Sequence, residues 1–433
     1  MRPTPHQLPV FAIGAIFGSV VAFALIRLAG PAEEPDLAHY RRVRTFVEQN
    51  FVREVDSREL LDDALAGMLS SLDDYSRYYT PEEAAQLNRD TAGRYTGIGV
   101  VLKRPIEEGR ILFVLPGSPA ERAGIRVGDL IVGVDDVTVR GEFTSDLLRR
   151  NLDDPERANL VLDVVGLDGA ERRVEVEHAS LIDPTVRHAR IVDEELGVGY
   201  LSITSFSHET PQEFLAAFQA LRDQGMRALV IDLRSNFGGV LTAAVNIARR
   251  FVSEGVIVST EGSGPPEVHE AIAEMAQLEG FPLAVLVDEN SASASEVLAA
   301  ALQEHRAAVL VGAPTYGKGM VQTIHRFPES GSIAKITTSY YYTPSHQNLE
   351  HSLDPSRDYG IRPDLEVSIE RAEQRAIYRH LAEYSPPFAA LPALLEWQAN
   401  EEEPLLPEHP ADAQLDTAVR LFAGERLTRK EEG

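Results

Sequence analysis

Apolar positions recur in four different rhythms along the chain, and each rhythm predicts a different kind of element. From Leu8 to Ile26 the run LPVFAIGAIFGSVVAFALI carries no charge over 19 residues, about the length a helix needs to cross a ~30 Å hydrocarbon layer. Between residues 31 and 96 apolar residues return every three or four positions. A helix is predicted over 39–50, and another over 57–72, where Leu60, Leu61, Ala64, Leu65, Met68 and Leu69 share a face behind Ser57 at the N-cap position. Over 95–180 the short runs GIGVVL, RILFVL, DLIVGV, NLVLDVV and RRVEVEH alternate with Gly, Pro and Asp turns, which predicts a small β-rich module. After Val198 strands and helices alternate. Strands are expected over 198–206, 228–233, 283–287 and 307–311, with helices to residue 224, over 240–251 and over 294–303. The first of these helices opens on the capping-box pattern Thr210-Pro211-Gln212-Glu213. Repeated strand-helix units predict a layered α/β domain with a mainly parallel sheet and a site at the carboxyl ends of its strands.

Three such strand ends carry candidate chemistry. The first, Asp232-Leu233-Arg234-Ser235-Asn236-Phe237-Gly238-Gly239, opens into a helix. Its paired glycines make either a plain tight turn or a set of outward amides for an anion or oxyanion. The second, Asp288-Glu289-Asn290-Ser291-Ala292-Ser293-Ala294-Ser295-Glu296, supplies either helix N-caps or a serine displayed at the top of the sheet, although the G-x-S-x-G form is absent. The third, Gly312 to Gln322, places Lys318 between Gly317 and Gly319. Lys318 and Gln322 are four positions apart and share a face in a strand or a helix. A phosphate loop is disfavoured, because Gly319 stands where that motif needs Ser or Thr.

Composition narrows the chemistry. The 433 residues hold 67 Asp plus Glu against 41 Lys plus Arg, a net charge of −26, which argues against a partner held by phosphate contacts such as nucleic acid. At 44% apolar and 25% charged residues, the chain is long and apolar enough for two or three packed domains. It has no cysteine, so disulfides, thiolate metal sites and a cysteine nucleophile drop out. None of the 12 histidines stands at a strand end with triad spacing, and H-E-x-x-H is absent. A serine paired with a lysine remains, and it requires the lysine to lose its proton near neutral pH through burial. Arg2 before the apolar run and Glu33, Glu34 and Asp36 after it fit insertion with the bulk exported. An uncleaved anchor is favoured over a cleaved signal peptide, because Arg27 interrupts the expected cleavage region.

The ordered blocks LLDDALAGMLSSLDDYSRYYTPEE, YTGIGVVL, GSPAERAGIRVGDLIVGVDD, DLRSNFGG, NSASASEVLAAALQ, VGAPTYGKGMVQT, SYYYTPS and GIRPDLEV, spanning about 60–367, resemble the C-terminal processing (tail-specific) serine proteases; AQLDTAVRLF is similar to that family's closing helix. The resemblance implies Ser293 as nucleophile, Lys318 as general base and Gln322 as the residue orienting the lysine. Oxyanion donors would be Ala294 and one of Gly238 and Gly239. It also implies a PDZ domain whose carboxylate-binding loop is Gly97-Ile98-Gly99-Val100, with Ile98 and Val100 lining an apolar pocket for substrate tails. The implied organisation is an anchor or signal (1–30), a helical cap (31–94), a PDZ domain (95–180), an α/β protease core (181–370) and a helical tail (371–433) with an acidic solvated linker at 401–412. The expected protein is an endopeptidase anchored in the cytoplasmic membrane and facing the periplasmic side, acting on proteins with apolar free C-termini. No metal or cofactor is called for. An adaptor lipoprotein and a homo-oligomer are partners the family admits. The departures are Phe237, where a small residue or Pro is common, and Ser345-His346-Gln347 in place of Ser-Gly-Arg.

Overall fold

The computed structural model describes residues 34–91, 93–104, 106–135, 137–139, 159–351, 360–383, 386–399 and 409–424; the apolar run at 8–26 and most of the acidic stretch lie outside them. Among the described residues no helix is long and apolar enough to cross a membrane. There are two compact units, one ending at Tyr78 and one beginning at Tyr79.

In the first unit helices run over Pro35–Asn50 and Ser57–Ser70. The second helix is capped one residue earlier than expected. Asp56, not Ser57, accepts the Arg58 and Glu59 amides at 2.6 and 3.2 Å, and a carboxylate there also meets the positive end of the helix dipole. Helix Pro81–Thr91 belongs to the second unit. There it packs on strand Ser332–Tyr342, and Arg326 donates to Asn88 Oδ1 at 2.6 Å.

The β-rich module has an antiparallel sheet of Leu130–Val134, Asn159–Val165 and Glu171–Glu177 with the short Val137–Thr138 at its edge. Two ribbons accompany it, Val100–Leu102 with Ile111–Val114 and Arg94–Gly97 with Ala179–Ile182. Strict alternation in Asn159–Val165 turns Leu160, Leu162 and Val164 inward, onto Ile98, Ile111 and Ile131.

The α/β core is a sheet in the order Val186–Asp193, Val198–Ile203, Ala228–Asp232, Leu283–Val287, Val309–Gly312, Leu365–Glu366. Its first pair is antiparallel and the rest are parallel. Helices Thr210–Asp223, Leu241–Ala248 and Ala294–Glu304 cover one face, and helix Ala413–Phe422 covers the other with Leu415 and Ala418. That double coverage explains why the central strands are apolar at nearly every position. The expected capping box does not form. Glu209 is the N-cap of Thr210–Asp223, while Glu213 turns away to accept the Thr185 and Val186 amides at 2.7 and 2.9 Å. Strands Met320–Phe327 and Ser332–Tyr342 form an antiparallel hairpin, and Ser332–Tyr342 also pairs with Val256–Gly262. Residues 386–398 strap the β-rich module to the core. Pro386 O accepts the His188 amide at 3.2 Å, while Ala390 and Leu394 pack on Leu112, Phe113 and Leu115.

Candidate active site

The Leu283–Val287 strand leads through a short turn to Ser293, the N-cap of Ala294–Glu304, whose φ is 57° and ψ −116°. Such a backbone is costly for a residue with a Cβ, and it belongs to sharp strand-to-helix turns that lift a side chain off the sheet. The three serines of the run have different fates. Ser291 is fully buried, its Oγ donating to Leu233 O at 2.8 Å and accepting the Asp288 amide at 3.0 Å. Ser295 is fully buried and donates to Asn236 O at 2.9 Å. Ser293 is partly exposed. Its side chain hydrogen-bonds the buried Tyr341 phenol, a group that burial pushes above its ordinary pKa and this bond pulls back.

The loop after Ala228–Asp232 is fastened to this turn. Asn236 is fully buried, donating from Nδ2 to Ile203 O at 2.7 Å and accepting the Ala292 amide on its own carbonyl at 3.0 Å. Asp288 receives the Ser235 amide on both oxygens at 3.0 Å and the Tyr378 hydroxyl at 2.6 Å. Gly238 lies so close that a Cβ there would come within 2.8 Å of Ala292 O and 2.9 Å of Ser293 Cβ. Its N–H is donated to Asn236 Oδ1 at 2.9 Å. Gly239 is exposed, and its N–H donates to nothing among the described residues. Phe237, between buried Asn236 and buried Gly238, is 71% exposed.

A buried ion cluster holds the loop from below. Arg234 donates to Asp232 at 2.6 Å and to Asp412 at 2.7 Å, and Tyr200 donates to Asp232 at 2.8 Å. Burial works against the Arg234 charge, but the two carboxylates outweigh it and keep the guanidinium firmly protonated. Asp412 was expected at the end of a solvated linker. It is 4% exposed instead, because the helix it caps completes the second face of the sheet.

The lysine lies at the entrance to the Met320–Phe327 hairpin, outside the strand itself. Gly317 takes φ 82°, and a Cβ on Gly319 would lie 2.5 Å from the Glu350 nitrogen, so both flanking glycines are required by geometry. Glu296, fully buried in the first turn of the serine's helix, joins the two chain segments. Its Oε2 accepts the Ser293 amide at 2.8 Å and the Lys318 amide at 2.9 Å, and its Oε1 accepts Thr315 Oγ1 at 2.6 Å and Gly317 N at 2.7 Å. Burial, and then Lys335, lower the pKa of Lys318 from its ordinary value, opposed by Glu350 and Glu296. Gln322 donates to Thr337 Oγ1 at 3.3 Å. The register shift beside Gln322 places the extra residue, Thr338, on the partner strand Ser332–Tyr342.

In the β-rich module Gly97, Ile98 and Gly99 are buried and Val100 keeps part of its surface. Ile98 and Gly99 carbonyls accept the Ala120 and Leu115 amides at 2.9 and 2.8 Å. Ile98 is 1% exposed and packs within the module's own core, whereas Val100 keeps part of its surface.

A serine on a strained strand-to-helix turn, beside a glycine loop and joined through one carboxylate to a half-buried lysine, is the constellation of a serine-type peptidase. Residues 197–367 match the peptidase family S41, residues 110–162 match the PDZ domain, and residues 29–83 match the N-terminal domain of the activating protease CtpB. The chain is 30% identical over 349 residues to a carboxy-terminal-processing protease of Bartonella bacilliformis, covering 76% of this chain and 73% of that one. It is 32% identical over 334 residues to a chloroplastic C-terminal processing peptidase of Tetradesmus obliquus, covering 73% and 70%. A solved photosystem II D1 C-terminal processing protease aligns at 28% identity and TM-score 0.42 over 75% of this chain and 86% of that chain. The protein belongs to the C-terminal processing proteases of peptidase family S41.

Glu296, Asp288, Asn236 and Glu350 are site residues that motif reading passed over. For Glu296 a signal was present, since Ser293-x-x-Glu296 has capping-box spacing. Glu350 comes 32 positions after Lys318, with no local pattern to mark it.

Proposed function

We propose that the protein is an exported, membrane-anchored endopeptidase that captures free apolar C-termini through its PDZ domain and cleaves by acyl transfer. Ser293 attacks the scissile carbonyl while Lys318 takes its proton and then returns it to the leaving amine, with Gln322 helping to orient the lysine. Ala294 N–H, at the positive end of its helix, and Gly239 N–H, uncommitted beside the turn, are the oxyanion donors, with Gly238 providing the close approach. One observation carries this reading. Of three neighbouring serines only Ser293 escapes full burial, and its backbone meets that of Lys318 on a single oxygen of Glu296.

Peptide capture rests on the PDZ match and on the physics of such modules, in which an extended peptide adds to an edge strand and loop amides hold its carboxylate. Val100, which begins the Val100–Leu102 strand and keeps part of its surface, supports the reading that this loop meets a tail. Export and anchoring rest on the charge-free run at 8–26 and the flanking charges. Delivery by an adaptor lipoprotein and self-association through the terminal helices extend the same reading.

The test uses the full chain in detergent with an unfolded protein bearing an apolar C-terminus. Ser293→Ala and Lys318→Ala abolish cleavage, and amidating the substrate's C-terminus slows it. Equal cleavage by wild type and both variants sinks the dyad; indifference to amidation sinks carboxylate capture.

A further inference from the structure

The backbone around the lysine is held from two sides. Gly317 and Lys318 amides go to Glu296, and the next amide, Gly319 N–H, goes to Glu350 Oε2 at 3.0 Å. Three consecutive amides are thus bound by two buried carboxylates that are far apart in sequence. The two are not equivalent. Glu296 is spent on four donors, two of them on its own loop contacts Thr315 and Gly317. Glu350 has a fully buried side chain, stands on the segment that closes over Gly319, and of the two carboxylates acts more strongly on the Lys318 charge.

We propose that Glu350 is a positioning residue for catalysis: it clamps the lysine loop opposite Glu296 and fixes a buried negative charge next to Lys318. This rests on Lys318 being the base of the dyad.

Among the described residues, charged groups that act on the lysine stand on three elements. Glu296 lies on the serine's helix, Lys335 on strand Ser332–Tyr342, and Glu350 on the segment after that strand. Against Glu350 itself stands His351, whose Nδ1 is 3.4 Å from Glu350 Oε1 and 3.2 Å from Gly317 O and whose ring meets Tyr316 edge-on. Burial and Lys335 favour the neutral amine that the mechanism needs, while Glu350 favours the ammonium. Glu350 therefore holds the lysine loop in place at the expense of its basic form, and Lys335 works in the opposite direction. Removing either charge leaves the other uncompensated, so the two substitutions must move the enzyme's pH response in opposite senses.

The experiment is the pH profile of kcat/KM for the full chain in detergent, with the same unfolded substrate, for wild type, Glu350→Gln, Glu350→Asp, Lys335→Gln and Lys318→Ala. Gln keeps an acceptor for Gly319 N–H but drops the charge, so the acidic limb moves to lower pH by about one unit. Asp keeps the charge and leaves the midpoint near wild type, and Lys335→Gln moves it upward. A uniform fall in kcat/KM at every pH with an unmoved midpoint in Glu350→Gln means a merely structural carboxylate and overturns the proposal. So does a Lys335→Gln midpoint that fails to rise. If Lys318→Ala cleaves as well as wild type, the dyad itself fails and this role falls with it. A dead Lys318→Ala beside an unmoved Glu350→Gln removes only the role of Glu350.

Discussion

The two halves of the proposed dyad are built in opposite ways. The serine stands where a buried parallel strand meets a buried helix, and its turn is bonded on all sides through Asp288, Asn236, Ser291 and Ser295. Lysine, in contrast, enters an antiparallel hairpin whose residues are mostly half-exposed, and its loop depends on two carboxylates brought in from elsewhere. A strained serine such as Ser293 persists only where its surroundings over-determine it. The lysine needs an intermediate setting, since full burial without counter-charges is too costly and full exposure leaves it protonated. The nucleophile is therefore pre-set, and the basicity of the partner is the adjustable quantity.

The sharpest way to break this comparison is to delete each half. Ser293→Ala and Lys318→Ala each lower kcat/KM by at least about 10³-fold, yet their melting temperatures stay near wild type, because both side chains are only partly buried and neither carries the packing of the core. A large drop in melting temperature for Lys318→Ala would mean that the lysine end is as structural as the serine end.

Next in size is Asp412→Ala, aimed at the support beneath the serine end. It leaves the buried Arg234 guanidinium with Asp232 as its remaining carboxylate and costs about 2–3 kcal/mol in chemical unfolding, whereas Lys335→Gln at the other end changes stability little. The same ion pair has a pH signature. Burial opposes the Asp412 charge, but Arg234 outweighs that and holds its pKa below the ordinary value in the folded state. Its stabilisation is then complete above the ordinary carboxylate range and is lost as pH falls through the lowered folded value. Asp412→Asn removes that acid-side loss, and an unchanged acid unfolding curve would count against the pair.

The smallest expected effect is at Phe237. That residue is an exposed aromatic between two buried neighbours, at the edge of the loop proposed to hold the oxyanion. Phe237→Ala should alter the preference among apolar residues near the scissile bond by about tenfold at most, leaving the pH profile in place. A shifted profile would tie Phe237 to the lysine end instead.

Much of this was legible in the chain. The alternation after Val198 gave the central strands and helices within a few residues, because strands covered on both faces must be apolar throughout. The serine run, the glycine pair and the glycine-flanked lysine were visible as motifs, since each is a local backbone requirement. The cap at Asp56 is a local choice between two adjacent acceptors, whereas Glu213 is claimed by the Thr185 amide 28 positions away, a partner that no local pattern marks.

The sequence by itself determined the family and the α/β character of the core with its PDZ module, and it offered a short list of candidate residues, for those follow from periodicity and from motifs a few residues long. Only the tertiary structure distinguished Ser293 from Ser291 and Ser295, left Gly239 rather than Gly238 with a free N–H, buried Ile98, and turned Asp412 from linker into counter-ion. It alone brought Glu296 and Glu350 to the lysine loop. The reason is physical: hydrogen bonding and charge pairing act over about 3 Å in space with no regard for separation along the chain.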